Sequence, residues 1–216
     1  MGLDEYKGTR NVRVTAEPEG HVHPSGDVLS FCIQKHAASH LHYDFRLELN
    51  GVLLSWSVPK GPSLRPGERR LAVRTEDHPL GYADFEGTIP RGEYGGGSVL
   101  VWDRGSWQAE GDAQADFEKG RLTFTLQGEK LSGRFHLVRS KLGADKREHW
   151  LLFKGRDEAA KSDVDIVSER PESVLSGRTI DEIEEAADEP ARAETRGRRQ
   201  GQAKSTPEPV ADMVEM

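Results

Sequence analysis

Apolar and polar positions alternate with a period of two in short runs, each bounded by Gly, Pro or Asn. The runs are Leu29–Gln34, His42–Leu49, Val52–Val58, Arg70–Thr75, Ser98–Asp103, Arg121–Leu126, Arg134–Arg139 and His149–Lys154. Strict alternation sends successive side chains to opposite faces of a strand, so the pattern predicts an all-β antiparallel fold. Asn50-Gly51 supplies the positive φ that a type I′ turn needs at both central residues, which makes His42–Leu49 and Val52–Val58 a hairpin. Gly95-Gly96-Gly97 predicts a bend or bulge before Ser98–Asp103; a phosphate cradle would need a helix to follow, and none is signalled. Within the body only Asp112–Lys119 reads as helix, two turns carrying Ala115 and Phe117.

The pattern stops at about Gly155. Beyond it aromatics vanish and Ala, Glu, Asp, Arg and Ser dominate, a composition that buries too little apolar surface to offset the entropy of ordering. Residues 1–156 are therefore expected to form one β domain and residues 157–216 an acidic, largely disordered tail. Charge divides in the same place: the body carries 22 Lys+Arg against 21 Asp+Glu, whereas the tail is at −8. The net charge of −7 thus belongs to the tail, and a near-neutral body is free to hold a local basic cleft. Inside the tail, Thr179 is placed to cap a short helix, Thr179–Ala187, with Ile180 and Ile183 on one face as a docking segment.

The single cysteine, Cys32, forms no internal disulfide, and the opening MGLDEYKGTR has no apolar signal core. A cytoplasmic, monomeric protein is expected. No apolar run approaches the ~20 residues of a membrane span.

Chemistry concentrates between Gln34 and Tyr82. On a strand, His40, His42, Asp44 and Arg46 share one face, and Leu41, Tyr43 and Phe45 share the other, the core face. Two imidazoles, a carboxylate and a guanidinium on one face are costly unless something binds there. His42 and Asp44, with His36 from the preceding segment, suit a divalent transition metal and leave coordination positions open. The alternative is a solvated strand face. Arg46 is placed to take a phosphate oxygen with its planar fork, or else to pair with Glu48. The turn Glu76-Asp77-His78-Pro79-Leu80-Gly81-Tyr82 adds His78 and Tyr82 as groups able to protonate or hydrogen-bond phosphoryl oxygens.

These residues fall in longer motifs: Gln34-Lys35-His36, Leu41-His42-Tyr43-Asp44-Phe45-Arg46-Leu47-Glu48, Trp56-Ser57-Val58-Pro59-Lys60-Gly61-Pro62, Glu76-Asp77-His78-Pro79, Tyr82-Ala83-Asp84-Phe85-Glu86-Gly87 and Gly92-Glu93-Tyr94-Gly95. In that order they resemble the 3′-phosphoesterase domain of bacterial DNA ligase D, closely from Phe31 to Trp107 and more loosely to Lys154. The resemblance implies a small β-barrel or strongly curved antiparallel sheet with one or two short helices. It implies a manganese-dependent hydrolase, tolerant of other ions such as Co²⁺, acting on DNA or RNA–DNA 3′ ends in non-homologous end joining. A terminal 3′ ribonucleoside is removed first, then the 3′ phosphate. His36, His42 and Asp44 fall on the metal-ligand positions, Arg46, His78 and Tyr82 on the catalytic and phosphate-contacting positions. Gln34, Lys60, Arg70, Glu76, Arg10 and Glu17 fall on supporting positions.

This chain departs from the family pattern at Asn11, where the family commonly has Asp after the Arg, and that bears on ribonucleoside removal. No ligase or polymerase region follows the domain, so a stand-alone relative is expected, recruited by a separate ligase, polymerase or end-binding protein through its tail. Two other functions fit parts of the pattern. A non-haem iron oxygenase would use His42-x-Asp44 with His78 or His136. A non-catalytic end-binding module would hold phosphates with Lys35, Lys60, Arg69 and Arg70.

Overall fold

The computed structural model describes residues 2–10, 15–22, 26, 28–141 and 147–187. The hairpin forms as the turn chemistry requires: β1 (Leu29–Ala37), β2 (Leu41–Leu49) and β3 (Val52–Val58) run antiparallel in sequence order. Asn50 and Gly51 between β2 and β3 take φ of 53° and 79°. From β3 the sheet continues through β4 (Arg70–Arg74), and two short strands follow, β5 (His78–Pro79) and β6 (Gly87–Ile89). It is completed by β7 (Gly97–Ala109), β8 (Arg121–Gly128), β9 (Ser132–Arg139) and β10 (His149–Lys154). Neighbours run β1-β2-β3-β4-β10-β9-β8-β7, and β7 pairs back onto β1, closing an antiparallel barrel; β5 and β6 are appended to β3 and β7. Closure removes the exposed sheet edges that invite aggregation.

Side-chain alternation explains the layering. Phe45 on β2 and Trp56 on β3 lie on one face of the wall and meet Phe124 and Trp150 from the far wall, at ring separations of 6.1 Å for Phe45–Phe124 and 5.6 Å for Trp56–Trp150. That face is the barrel interior, and full burial of each such ring contributes roughly 1.5–3 kcal/mol. Helix α2 (Ala113–Lys119) starts at Asp112, whose carboxylate accepts the Ala115 N–H, and its Phe117 stacks on Trp150 at 5.7 Å. The bend at Gly95-Gly96-Gly97 has a steric reason. A Cβ on Gly97 would sit 2.1 Å from the Ala37 carbonyl oxygen, so only glycine lets β7 approach β1 there.

Three features differ from the sequence pattern. Leu41, expected on the core face, is 49% exposed because it opens β2 beyond the reach of the far wall. A second layer covers the outer side of β1–β3: α1 (Asp4–Thr9), β5, the 3₁₀ turn Leu80–Asp84 and β6. Finally, residues 157–187 of the expected tail pack on the barrel. Helix α3 (Ile166–Glu169) buries Ile166, and the helical run 180–187 buries Ile180 and Ile183. Between them Trp102 donates to the Arg170 carbonyl, the Val174 N–H bonds the Val101 carbonyl, and Lys130 is held by the Arg170 and Glu172 carbonyls. Few apolar residues suffice because main-chain hydrogen bonds to the barrel share the work. Glu182 accepts both the Thr179 N–H and hydroxyl, so the Thr179 hydroxyl, expected to accept a helix N–H, donates to Glu182, and only the backbone half of a capping box forms. Residues 188–216 lie outside the described residues, as does Asn11.

Candidate metal and phosphate site

The outer face of β1–β3 carries the polar side chains. In the β1–β2 register His36 stands opposite His42, Gln34 opposite Asp44 and Cys32 opposite Arg46; in the β2–β3 register Arg46 stands opposite Ser55. Strand pairing alone therefore gathers His36, His42, Asp44 and Arg46 on one patch, and nitrogen or oxygen atoms of His36, His42 and Asp44 all lie within 4.8 Å of one another. His36 Nδ1 is 3.7 Å from Asp44 Oδ2 and His42 Nε2 is 3.6 Å from Asp44 Oδ1.

The far nitrogen of each ring is tied to the main chain. His36 Nε2 lies 2.8 Å from the Gly95 carbonyl oxygen and His42 Nδ1 lies 2.9 Å from that of His40. A carbonyl accepts only from an N–H, so in its neutral form each imidazole carries its lone pair on the nitrogen beside Asp44. This is the arrangement that metal-ligating histidines adopt, and the donor set fits a divalent transition ion with open positions. Cys32 on the same face is fully buried, and its thiol is pushed up to about 12 by burial, which takes it out of the chemistry.

Arg46 is 2% exposed and fully engaged. It donates through Nε to Gln34 Oε1 at 2.8 Å, through Nη1 to Ser55 Oγ at 2.8 Å and through Nη2 to Asp44 Oδ2 at 3.0 Å. Glu48, the other partner considered for it, is bonded by Ser30. Burial raises the pKa of Asp44, but the Arg46 guanidinium and the two imidazoles outweigh it and hold the carboxyl below its usual range.

The covering layer supplies the rest. His78 is buried between two guanidiniums, with Nδ1 2.9 Å from Arg46 Nη1 and Nε2 3.2 Å from Arg10 Nη2. Burial first, then those two charges, push its pKa well below that of an ordinary histidine, so it is neutral. Arg10 also bonds Glu17 Oε1 at 2.8 Å and Glu76 Oε1 at 2.9 Å. Burial disfavours its charge, but Glu76 and Glu17 restore and exceed the loss. The Tyr82 hydroxyl donates to Glu17 Oε1 at 3.0 Å, and the Arg46 guanidinium lies over the Tyr82 ring at 5.0 Å. Tyr82 is therefore a wall of the site whose hydroxyl is taken by Glu17; burial raises its pKa well above normal. Gln34 spans the layers, its amide donating to the carbonyls of Tyr82 and Phe85 at 2.9 Å each. Glu17 Oε2 is buried with no partner among the described residues.

The structure thus gathers His36, His42, Asp44, Arg46, His78, Tyr82, Gln34, Glu76, Arg10 and Glu17. It does not bring Lys60 or Arg70 into that network: Lys60 is exposed in the turn after β3, and Arg70 pairs with Glu68 at 3.1 Å. His136, considered as a third metal ligand, bonds Thr123 on the barrel's far side and stacks on Phe153. Ser55 and Tyr94 belong to the site and were not anticipated. Ser55 was open to inference, because the hairpin register set by Asn50-Gly51 places it opposite Arg46. The Tyr94 ring lies 4.6 Å from the Arg10 guanidinium carbon, a contact between distant loops that sequence spacing does not encode.

Residues 34–139 match the family model of the DNA ligase D 3′-phosphoesterase domain. A multifunctional non-homologous end joining protein, LigD, of Pseudomonas aeruginosa is 53% identical over 204 residues, 92% of this chain and 24% of the relative. The corresponding DNA repair protein of Mycobacterium tuberculosis is 45% identical over 70% of the chain and 19% of its own length. That of Mycolicibacterium smegmatis is 40% identical over 72% of the chain and 21% of its own. The chain spans about a quarter or less of the length of these relatives.

Proposed function

The chain belongs to the DNA ligase D 3′-phosphoesterase family, and from that premise we propose that it is a manganese-dependent enzyme processing the 3′ ends of DNA and RNA–DNA strands in non-homologous end joining. It removes a terminal ribonucleoside and then the 3′ phosphate. The observation that carries this reading is the convergence of His36, His42 and Asp44, each imidazole with its far nitrogen bonded to a main-chain carbonyl, beside a buried guanidinium.

His36, His42 and Asp44 would hold the ion, which when bound supplies Lewis-acid polarisation of a phosphoryl oxygen and a more acidic water. Arg46 and Arg10 offset the negative charge that develops on the other phosphoryl oxygens. His78, neutral between them, is a hydrogen-bonding partner for a phosphoryl oxygen. Arrival of an anion offsets the two guanidinium charges and raises its proton affinity, which suits it to carry a proton during turnover. Tyr82 and Gln34 fix Arg46 and the layer above it. Glu17, whose carboxylate accepts from Arg10 and from the Tyr82 hydroxyl, holds both in place. Lys60, exposed at the rim, is assigned to strand phosphates, and a supporting role is kept for Arg70. Recruitment by a separate ligase, polymerase or end-binding protein belongs to the same proposal.

The test is incubation with Mn²⁺ of one duplex ending in a 3′ ribonucleotide and another ending in a 3′ phosphate. Shortening of the first and dephosphorylation of the second are expected, without oxygen or an oxo-acid, and both are lost in His42→Ala and Asp44→Ala. Intact ends on both duplexes with the unaltered protein overturn the reading.

A further inference from the structure

Tyr94 is 53% exposed, yet two charged side chains flank it. The Arg10 guanidinium carbon lies 4.6 Å from its ring centroid, and burial first, then the nearby Glu76 carboxylate, raise the pKa of its hydroxyl. Its neighbour Gly95, at φ of 75°, supplies the carbonyl that bonds His36 Nε2. Tyr94 thus stands one residue from a metal-ligand contact, against the guanidinium that reaches His78. A core role would bury the ring, and a loop role alone would not need one. An aromatic ring held against a guanidinium at a site rim, with much of its surface left to solvent, is the form of a base-stacking platform.

From this geometry we infer that Tyr94 stacks on the nucleobase of the strand's terminal nucleotide, forming a subsite whose ligand is a purine or pyrimidine ring of any sequence. The inference rests on the 3′-end-processing reading above and adds the group that grips the leaving nucleoside. Stacking tolerates every base because each has a π-face, which suits an enzyme that must accept broken ends at random. The Arg10 guanidinium beneath the ring keeps the platform level with the phosphate-facing groups.

The experiment compares steady-state cleavage of two duplexes that differ at the 3′-terminal ribonucleotide, one with a base and one abasic, by the unaltered protein, Tyr94→Phe and Tyr94→Leu. The unaltered protein is expected to show a KM about tenfold higher for the abasic end, the magnitude of one base–aromatic stack, with kcat little changed. Tyr94→Phe keeps that preference. Tyr94→Leu loses it, its KM on the base-bearing end rising to the abasic value. If the unaltered protein cleaves both ends with equal KM, or Tyr94→Leu keeps the preference, the subsite is wrong while the enzyme assignment stands. A fall in kcat alone in Tyr94→Leu would make Tyr94 a support for Arg10 and overturn the stacking role. Cleavage of neither duplex by the unaltered protein removes the enzyme assignment itself, and this inference with it.

Discussion

The two faces of the β1–β3 wall are built from the same three strands and are both largely buried, yet they do opposite things. Inside, Phe45 and Trp56 are at most 1% exposed and pack on rings from the far wall, with the Arg74 guanidinium over the Trp56 ring. Outside, Asp44, Arg46 and Ser55 are buried too, but they are joined by hydrogen bonds from Arg46 to Asp44, Ser55 and Gln34. Apolar replacement of a buried ionic network is often neutral or stabilising, so the inner face is the one expected to carry the fold, and the outer face to answer to the chemistry proposed for it.

The sharpest way to break that division is one substitution on each face. Phe45→Ala should cost about 3–5 kcal/mol of unfolding free energy, read by urea denaturation, while phosphoesterase activity per folded molecule stays within a few-fold. Arg46→Ala should lower kcat/KM by about 10²–10³, roughly 2.7–4 kcal/mol of transition-state stabilisation, when assayed well below the melting temperature. Near-normal turnover in the second variant would mean that the outer face is structural too.

Metal binding sharpens the contrast next. Mn²⁺ at about 100 times its dissociation constant should raise stability by about 2.7 kcal/mol, seen as an increase in Tm that Phe45→Leu leaves intact and His42→Ala abolishes. Gln34→Ala withdraws the donor to the Tyr82 and Phe85 carbonyls and should cost about 1–3 kcal/mol. It should also reduce activity, because Arg46 loses an anchor; a change in stability alone would uncouple the two layers.

The smallest expected effect is a pH dependence. The folded pKa of His78 lies well below its ordinary value, with burial the main cause, so in acid the unfolded chain binds a proton that the folded chain does not. Its penalty is absent above about pH 6.5 and grows as pH falls toward the folded pKa, by at most about 1.4 kcal/mol per unit. His78→Asn should flatten stability between about pH 5 and 7. Asp44 acts in a lower window: its depressed pKa adds stability that is full above about pH 4 and is lost as pH falls further.

Alternation and hairpin chemistry were enough to read the eight barrel strands, and the Ala115–Phe117 pattern to read α2, because each rests on local rules. The covering layer was not legible. β5 and β6 have two and three residues, too few for a period, and α1 (Asp4–Thr9) is a polar segment ordered through one buried ring, Tyr6, packed edge-on to His78 and Tyr82. Composition misled over residues 157–187 for a related reason: Ile166, Ile180 and Ile183 are sparse in sequence but find a surface already built. The His36, His42 and Asp44 group was readable because strand register gathers it. The engagement of Arg10 with Glu17, Glu76 and His78 depends on a fold-back that no spacing reveals, although the family resemblance pointed to all four.

The acceptors that orient the two ligand imidazoles are peptide oxygens, those of Gly95 and His40. No point substitution deletes a peptide oxygen, so the aim of each ring answers to the course of the main chain, which around residue 95 is itself set by Gly95, Gly96 and Gly97. What cannot drift is the path of the main chain: an insertion in either loop should silence the centre even when each of its three donors is preserved.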